Sequence, residues 1–481
     1  MTTSHIHSSQ ACTGDAGIAR PGVPLRSRRR GQVVRCLSLK SGGLCLFFAM
    51  VLAMTVPATA AASDGGHGYA ELRASSLTGT TGRRWQVVQR ARPTFNRRVT
   101  DRVALGVTVE ASLSQGRDHT SELQRIIDAS DLGPVLEAAG CTWPDRGHDI
   151  FRVQEASDYL EVDRLFLDVY RESFDLRLGR QSIHWGSAQF MNPTDPFPEV
   201  LLTEPWRPRR GVNAARLTVP FGAFNEFTAV AAIDDGLEEP RVAGRARLDL
   251  AGITVALVAA WRGDQDDALL GLDLRGTHTV GWWAEAAFFP GNDSHADLAV
   301  GVDYSYPLFD RTLVLAQFYR NGSGATHPDD YARAPALGAA DLPVCNLDRP
   351  GGEGTGFVET GNAGAERSPF APVFAARDYL LVGGSFTFTP DFMLDAYVLQ
   401  NLNDGTAMAM PTLTRIATDR LDISLSARVP FSAWGDGGEL RPRSRDTLIE
   451  YQIEADAQPV QVDLSGLVPT STITLWARLS L

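Results

Sequence analysis

From about residue 67 to the C-terminus, apolar and polar positions alternate in segments of about ten residues separated by turn clusters. Val242, Gly244, Ala246, Leu248 and Leu250 interleave with Arg241, Arg245, Arg247 and Asp249. Leu298, Val300, Val302 and Tyr304 interleave with Asp297, Gly301, Asp303 and Ser305. Leu421, Ile423, Leu425 and Val429 do the same with Asp422, Ser424, Ser426 and Arg428. At the end, Ile473, Leu475, Ala477, Leu479 and Leu481 share one face, and Thr472, Thr474, Arg478 and Ser480 share the other. A period of two is that of a strand with one apolar face. It does not say whether that face looks into a sandwich core or out to lipid.

Connection lengths separate the two. About eighteen such segments follow one another, and the connections between them alternate between tight and longer ones. Tight turns are expected at Arg97 to Thr100, Glu172-Ser173, Gly222-Ala223, Gly252, Gly276 to His278, Pro307 to Asp310, Pro390-Asp391 and Thr418-Asp419. Every very long connection, 116–157, 187–210, 322–377 and 431–470, falls in the other set. Short turns at one rim and long loops at the other are the outer-membrane pattern. The chain is therefore expected to be all-β, one transmembrane antiparallel barrel over 63–481 with about 16–18 strands and both termini in the periplasm. Aromatics fit two interfacial belts: Phe221, Phe224, Tyr304, Tyr306, Phe386, Phe388 and Phe392 beside the tight turns, and Trp85, Trp185, Trp261, Phe288 and Phe289 at the far ends. In the first long loop, Ser121 can cap a short helix bearing Leu123, Ile126 and Ile127 on one face.

One stretch departs from the repeat. Phe174 to Pro208 begins as a strand expected to run over 174–186. It then passes through five prolines, Pro193, Pro196, Pro198, Pro205 and Pro208. Proline has no N–H for a sheet ladder, so 187–210 cannot be a central strand and is free to fold into the lumen. Asp195 and Glu199 on this loop are expected to face Arg177 and Arg180 across a constriction. Within the stretch, LRLGRQSIHWG followed by NPTD resembles a signature, GRQ…WG…NP.D, of porin-like outer-membrane barrels of Gram-negative bacteria, a large family of unknown function. More distantly it resembles alginate-export-type barrels. Gly179, Arg180, Gln181, Trp185, Gly186, Asn192, Pro193 and Asp195 carry the resemblance, which implies a barrel with a channel. Barrels of this kind usually end in an aromatic residue, where this chain has Leu481.

The N-terminus reads as a targeting segment. Arg28-Arg29-Arg30, Arg35 and Lys40 precede an apolar run from Leu44 to Met54, and Ala58-Thr59-Ala60-Ala61-Ala62 offers an A-x-A cleavage site. Residues 1–62 are expected to be a signal peptide with a long n-region, whose true start codon lies downstream; a membrane anchor is the alternative. The full chain carries a formal charge of −12, and loss of this arginine-rich leader makes it more acidic still. An acidic chain argues against a nucleic-acid partner. Cys141 and Cys345 are the cysteines left after cleavage. In an exported chain they suggest a disulfide, here one tying two long outer loops.

The polar strand faces hold many arginines, including Arg164, Arg177, Arg180, Arg245, Arg247, Arg262, Arg275, Arg428 and Arg478. With Gln181, His184, Asp195 and Glu199 they are the expected pore lining. An arginine-lined lumen would favour anions. The alternative is pairing across strands with Asp168, Asp175, Asp249, Asp273, Asp303 and Asp422. A hydrolase remains a competing class: Ser182 and His184 share a strand face, and Asp168 on the preceding strand could orient the imidazole. No nucleophile elbow, zinc spacing, P-loop or dinucleotide fingerprint accompanies them, so no metal or cofactor is expected. The expected function is an outer-membrane channel for small polar or anionic organic solutes, with outer-membrane lipid as its surroundings. An exporter or lipid- or polysaccharide-handling barrel with periplasmic partners is the other reading, and a closed structural barrel the third.

Overall fold

The computed structural model describes residues 66–79, 82–116, 141–142, 150–155, 158–197, 207–233, 240–263, 267–291, 294–331, 344–345, 374–441, 448–451, 460–463 and 469–481. The expected leader, the helix after Ser121 and the side chain of Glu199 lie outside the described residues.

The wall strands are β1 Gly66–Gly79, β2 Gly82–Thr100, β3 Val103–Gly116, β4 Asp158–Tyr170, β5 Asp175–Gln181, β6 Val212–Phe221, β7 Asn225–Ile233, β8 Pro240–Leu250 and β9 Ile253–Arg262. They continue as β10 Asp267–Thr277, β11 Gly281–Phe289, β12 His295–Tyr306, β13 Arg311–Arg320, β14 Asp378–Thr389, β15 Phe392–Asn401, β16 Thr406–Thr418, β17 Leu421–Ser432 and β18 Pro469–Ser480. Each pairs antiparallel with its sequence neighbours. β18 pairs back onto β1, from Tyr69↔Ser480 to Gly79↔Pro469, and closes the barrel. Closure leaves every wall strand bonded on both sides, so no edge is open to lipid.

The sheet has nineteen strands, because a short strand, Arg152–Glu155, pairs with the outer part of β4. That strand marks a correction. The expected strand 174–186 stops at Gln181, where the chain leaves the wall. Arg152–Glu155 then takes the place beside β4 that β5 vacates, satisfying backbone groups that would otherwise be unpaired. A second difference lies at the β1–β2 hairpin, where Gly79 pairs with Gly82, so this connection is tight and not long.

Burial is inverted relative to a water-soluble fold. Leu257, Leu270, Ile473 and Leu475 are each more than half exposed on the outside, while Glu71, Asp273 and Glu285 inside are at most 1 % exposed. Apolar-out and polar-in is the arrangement of a lipid-facing barrel, and it removes the sandwich alternative. At the tight-turn rim, Ala251 and Gly252 both take positive φ (56° and 85°), the conformation of a two-residue hairpin turn. The start of β1 and the end of β18 meet at this rim: the Leu481 N–H donates to the Gly68 carbonyl at 2.9 Å. Phe224, Phe221, Tyr304, Trp85, Trp261 and Phe288 are exposed outward, as belt residues should be. Trp185 and Phe289 are not; both are buried inside the barrel.

In the outer loops, Cys141–Thr142 and Val344–Cys345 form a two-stranded ladder in which Cys141 lies opposite Cys345. A second small ladder joins Leu448–Tyr451 to Val460–Asp463.

Candidate solute passage

The site begins where β5 leaves the wall. Gly179 has φ +111°, and a Cβ there would stand 2.2 Å from the Leu165 carbonyl oxygen, so only glycine permits this kink. Arg180 is buried and donates to Glu161 at 2.9 Å and to Asn213 at 3.3 Å. Gln181 is fully buried, its amide donating to the Ala214 carbonyl at 2.9 Å and the Gly179 carbonyl at 3.2 Å. These two side chains hold the exit point, one against each neighbouring strand.

The chain then turns inward. Ile183, Trp185 and Phe197 pack on an apolar patch of the inner wall, which includes Val230 (β7), Val258 (β9), Leu269 (β10) and Phe289 (β11). Further on, Ala188 and Met191 join a second inner cluster with Trp283, Leu315, Tyr319 and Leu381. Apolar residues on a lumen face are costly unless covered, and the loop covers them.

Polar anchors fix the crossing. The Glu285 carboxylate on β11 accepts the N–H groups of Ser187 and Ala188 on one oxygen, at 2.5 and 2.6 Å. Its other oxygen accepts the Thr194 hydroxyl at 2.7 Å and the Thr194 N–H at 3.3 Å. Gly186, with φ +94°, allows this approach, since a Cβ would lie 2.8 and 2.9 Å from the two carboxylate oxygens. Gln317 on β13 accepts the Gln189 N–H at 2.8 Å and donates to the Met191 carbonyl at 3.2 Å. Four donors converge on this one carboxyl group, so Glu285 is the main fastening.

Asn192-Pro193-Thr194-Asp195 is a turn closed by the Asp195 N–H on the Asn192 carbonyl at 3.1 Å, with proline at the position where a fixed φ suits it. Asp195 is fully buried. It accepts Arg209 at 2.5 Å, the Phe197 N–H at 3.0 Å, and lies 3.1 Å from His184 Nδ1. This corrects two expectations. Asp195 faces Arg209 and not Arg177 or Arg180, because the turn points its carboxylate back at the returning limb of the same loop. His184 is not in a wall strand; it sits on the loop with nearly half its side chain exposed.

The returning limb is clamped to the wall. Arg207 donates to Glu110 at 2.9 Å and Arg210 to Glu161 at 2.7 Å. Arg164 reaches Asp163 at 2.8 Å and also binds the Arg209 carbonyl. The other expected pore arginines point inward but are engaged. Arg177 is bidentate on Asp168 at 2.5 and 2.9 Å, and Arg478 meets Glu71 at 2.7 Å. Arg245 approaches Asp273 at 3.8 Å, Arg247 approaches Glu226 at 3.9 Å, and Arg275 lies 3.9 Å from Asp303 and 3.5 Å from the Ser187 carbonyl. Arg262 is buried on the lumen face of β9. Arg90 and Arg92 extend the pairing through Glu110 at 3.4 and 3.3 Å. Pairing across strands is thus what most of these arginines do. Asp168, taken up by Arg177, is not available to orient His184, so the Ser182–His184–Asp168 constellation does not form.

With the loop held against β10–β13, open space remains on the opposite side. A cavity of about 400 Å³ lies between the loop tip, Gln189 and Phe190, and the inner faces of β13–β18. Its lining includes Asp395, Tyr397, Thr412, Ser426, Arg428 and Trp476. Trp476 is legible as a lumen residue by parity, standing between Thr474 and Arg478 on its strand face; Tyr397 shares its face with Asp395 on one side and the apolar Leu399 on the other, so parity marks it only in part.

At the outer ends of β14 and β15, described pieces of outer loops interlock with the wall. Glu439 accepts the Ala375 N–H at 2.6 Å, the Asn401 amide at 3.2 Å and the Tyr379 hydroxyl, and its own N–H donates to Asp404 at 2.8 Å. Burial pushes the Glu439 carboxyl above the usual carboxylate range, and nearby Asp404 adds to the rise against these donors. The Tyr331 phenol beside them is likewise pushed up, chiefly by burial.

No protein-family model matches the chain, and no curated protein matches it. Among solved structures, it is similar to OccK5 (OpdH) of Pseudomonas aeruginosa, with 12 % identity, TM-score 0.45 and coverage of 87 % of this chain and 98 % of that one. It is similar to a BenF-like porin from Pseudomonas fluorescens Pf-5, at 10 % identity, TM-score 0.44 and coverage of 86 % and 99 %. It is also similar to Wzi, an outer-membrane protein involved in group 1 capsule assembly in Escherichia coli and a carbohydrate-binding β-barrel, at 7 % identity, TM-score 0.48 and coverage of 90 % and 88 %.

Proposed function

We propose that the protein is a passive outer-membrane channel for small polar organic solutes, with the tight-turn rim and both chain ends in the periplasm. One observation carries this reading. The segment Ser182 to Phe197 folds into the lumen, is fastened to Glu285 and Gln317 on the inner wall, and leaves a cavity of about 400 Å³ along β13–β18. A closed structural barrel has no use for an anchored constriction beside open space. Transport is diffusion past the loop tip, with no bond made or broken.

The expected preference for anions loses its main support, because most of the arginines named for it lie within 4 Å of a carboxylate. Paired charges in a narrow pore orient dipoles more than they select one sign. The test is conductance of the purified protein in a planar bilayer together with swelling of proteoliposomes in small polar solutes. Discrete conductance steps and solute-dependent swelling are expected. A detergent-folded barrel that inserts yet passes neither ions nor solutes overturns the reading.

A further inference from the structure

We infer that the cavity beside the loop tip binds a neutral, polyhydroxylated solute of mono- or disaccharide size; this rests on the channel reading above and names the solute class. The wall of the cavity carries a hydroxyl ladder. Thr412 on β16 donates to Ser426 on β17 at 3.0 Å, and Thr414 and Ser424, one pair further along, are 2.9 Å apart. Successive pairs on one strand face stand roughly 7 Å apart. A hydroxyl offers one donor and two lone pairs. Each pair spends one donor on its internal bond and keeps the second O–H, with lone pairs, for a partner in the lumen.

Rings complete the chemistry. Tyr397 and Trp476 line the same cavity, and Phe190 reaches it from the loop tip. A sugar ring has a rim of hydroxyls and flatter faces of C–H groups. A hydroxyl ladder next to aromatic surfaces matches both at once.

The charges are balanced. Asp395, Asp422, Arg428 and Arg478 all belong to the lining, with Asp422 opposite Arg478 in the strand register, and Arg478 is 2.7 Å from Glu71. An anion or a cation entering here meets both signs within the same space. A neutral hydroxyl compound instead meets charged donors and acceptors that strengthen its hydrogen bonds. The volume suits a small ligand, since such sites begin at about 300 Å³.

The experiment measures current through the single channel while maltose, glucose or gluconate is added. Glucose and maltose should interrupt the current in a concentration-dependent way, and gluconate should do so only at higher concentration. Trp476→Ala, and separately Thr412→Val with Ser426→Ala, should raise the half-blocking concentration of maltose by about tenfold. Heat-modifiable migration on gels checks that each variant folds. If gluconate blocks at lower concentration than either sugar, or the variants block like the parent protein, the assignment is wrong while the channel reading stands. If no current flows at all, the channel reading fails. Binding is then read by tryptophan fluorescence in detergent: a maltose-dependent change that is lost in Trp476→Phe supports the site, and its absence refutes it.

Discussion

The Glu285 carboxylate accepts the Ser187 N–H at 2.5 Å, between residues 98 apart in sequence, one on β11 and the other on the loop that leaves the wall after β5. This contact turns a proline-rich connection into a fixed constriction. It also accounts for the GRQ…WG…NP.D pattern as a single device. Gly179 kinks the exit, Arg180 and Gln181 brace it, Gly186 admits Glu285, and the Asn192–Asp195 turn presents Thr194 to the same carboxylate.

Glu285→Ala should release the loop. Lumen water replaces part of the lost bonding, so the loop's hold should fall by roughly 2–4 kcal/mol rather than by the sum of its hydrogen bonds. Single-channel conductance and open-channel noise should both rise, and protease should cut between Ser187 and Pro208 faster. Glu285→Gln keeps one acceptor oxygen at the site and should show a smaller effect. Unchanged conductance in Glu285→Ala would mean that the loop is held by its apolar packing alone.

Gly186→Ala tests the same fastening from the loop side. The added Cβ must displace the carboxylate, and the residue must hold a positive φ, at a cost of about 1–3 kcal/mol. The variant should resemble Glu285→Ala in conductance noise although Glu285 is intact. A quiet, parent-like channel would count against the close approach.

Removing Arg177 and Arg180 together should bare Asp168 and weaken the clamp on Glu161. The reversal potential across a salt gradient should move toward cation preference. Folding should also suffer, because the Arg180 guanidinium is buried and Glu161 loses one of its partners. No shift in a variant that still folds would place both pairs outside the conducting path.

Cys141 and Cys345 should be joined. They stand opposite each other in an antiparallel ladder, where Cα atoms are about 4.5–5.5 Å apart, within the range a disulfide spans. The bridge would close a long loop and stabilise the folded outer loops by roughly 4–5 kcal/mol in the chain-entropy account. Mass spectrometry of unreduced peptides should show one linked pair; free thiols at both positions would refute it.

The outer knot around Glu439 should be firmer in mild acid than at neutral pH. Its carboxyl is raised by burial, so the folded state binds the proton more tightly than the unfolded chain does. The resulting stability is present below the ordinary carboxylate range and is lost as pH rises through the higher folded value. Hydrogen exchange at the Ala375 and Leu440 amides, corrected for intrinsic rates, should be slower in mild acid. Glu439→Gln should remove most of that dependence, and an equal slope in the variant would assign the effect to another group.

The wall of this protein is readable from the chain alone. Alternation with period two names the strands, and parity assigns each side chain to lipid or lumen, as for Leu475 against Thr474 and Trp476. Connection lengths sort the two rims, because a hairpin turn and a long loop differ in length before anything folds. What sequence could not supply is who meets whom across the lumen. Strand neighbours are near in sequence, but Glu285, Gln317 and the loop tip come together only after the barrel has closed. The same holds for charge. Arg180 and Arg177 look like a basic lining because sequence counts residues one strand at a time; register sets Asp168 against Arg177, and Arg180 reaches Glu161 on the same strand beyond its own register partner, Leu165. The strand expected over 174–186 ends at Gln181 for a related reason. Ile183 and Trp185 alternate with Ser182 and His184 but on the parity of Arg177 and Gln181, not of Leu176 and Leu178, so they fall on the lumen side, where inner-wall residues such as Leu269 and Phe289 offer an apolar surface, and burial there competes with staying in the sheet. Local pattern decides the face a residue takes, and only closure decides what that face finds opposite it.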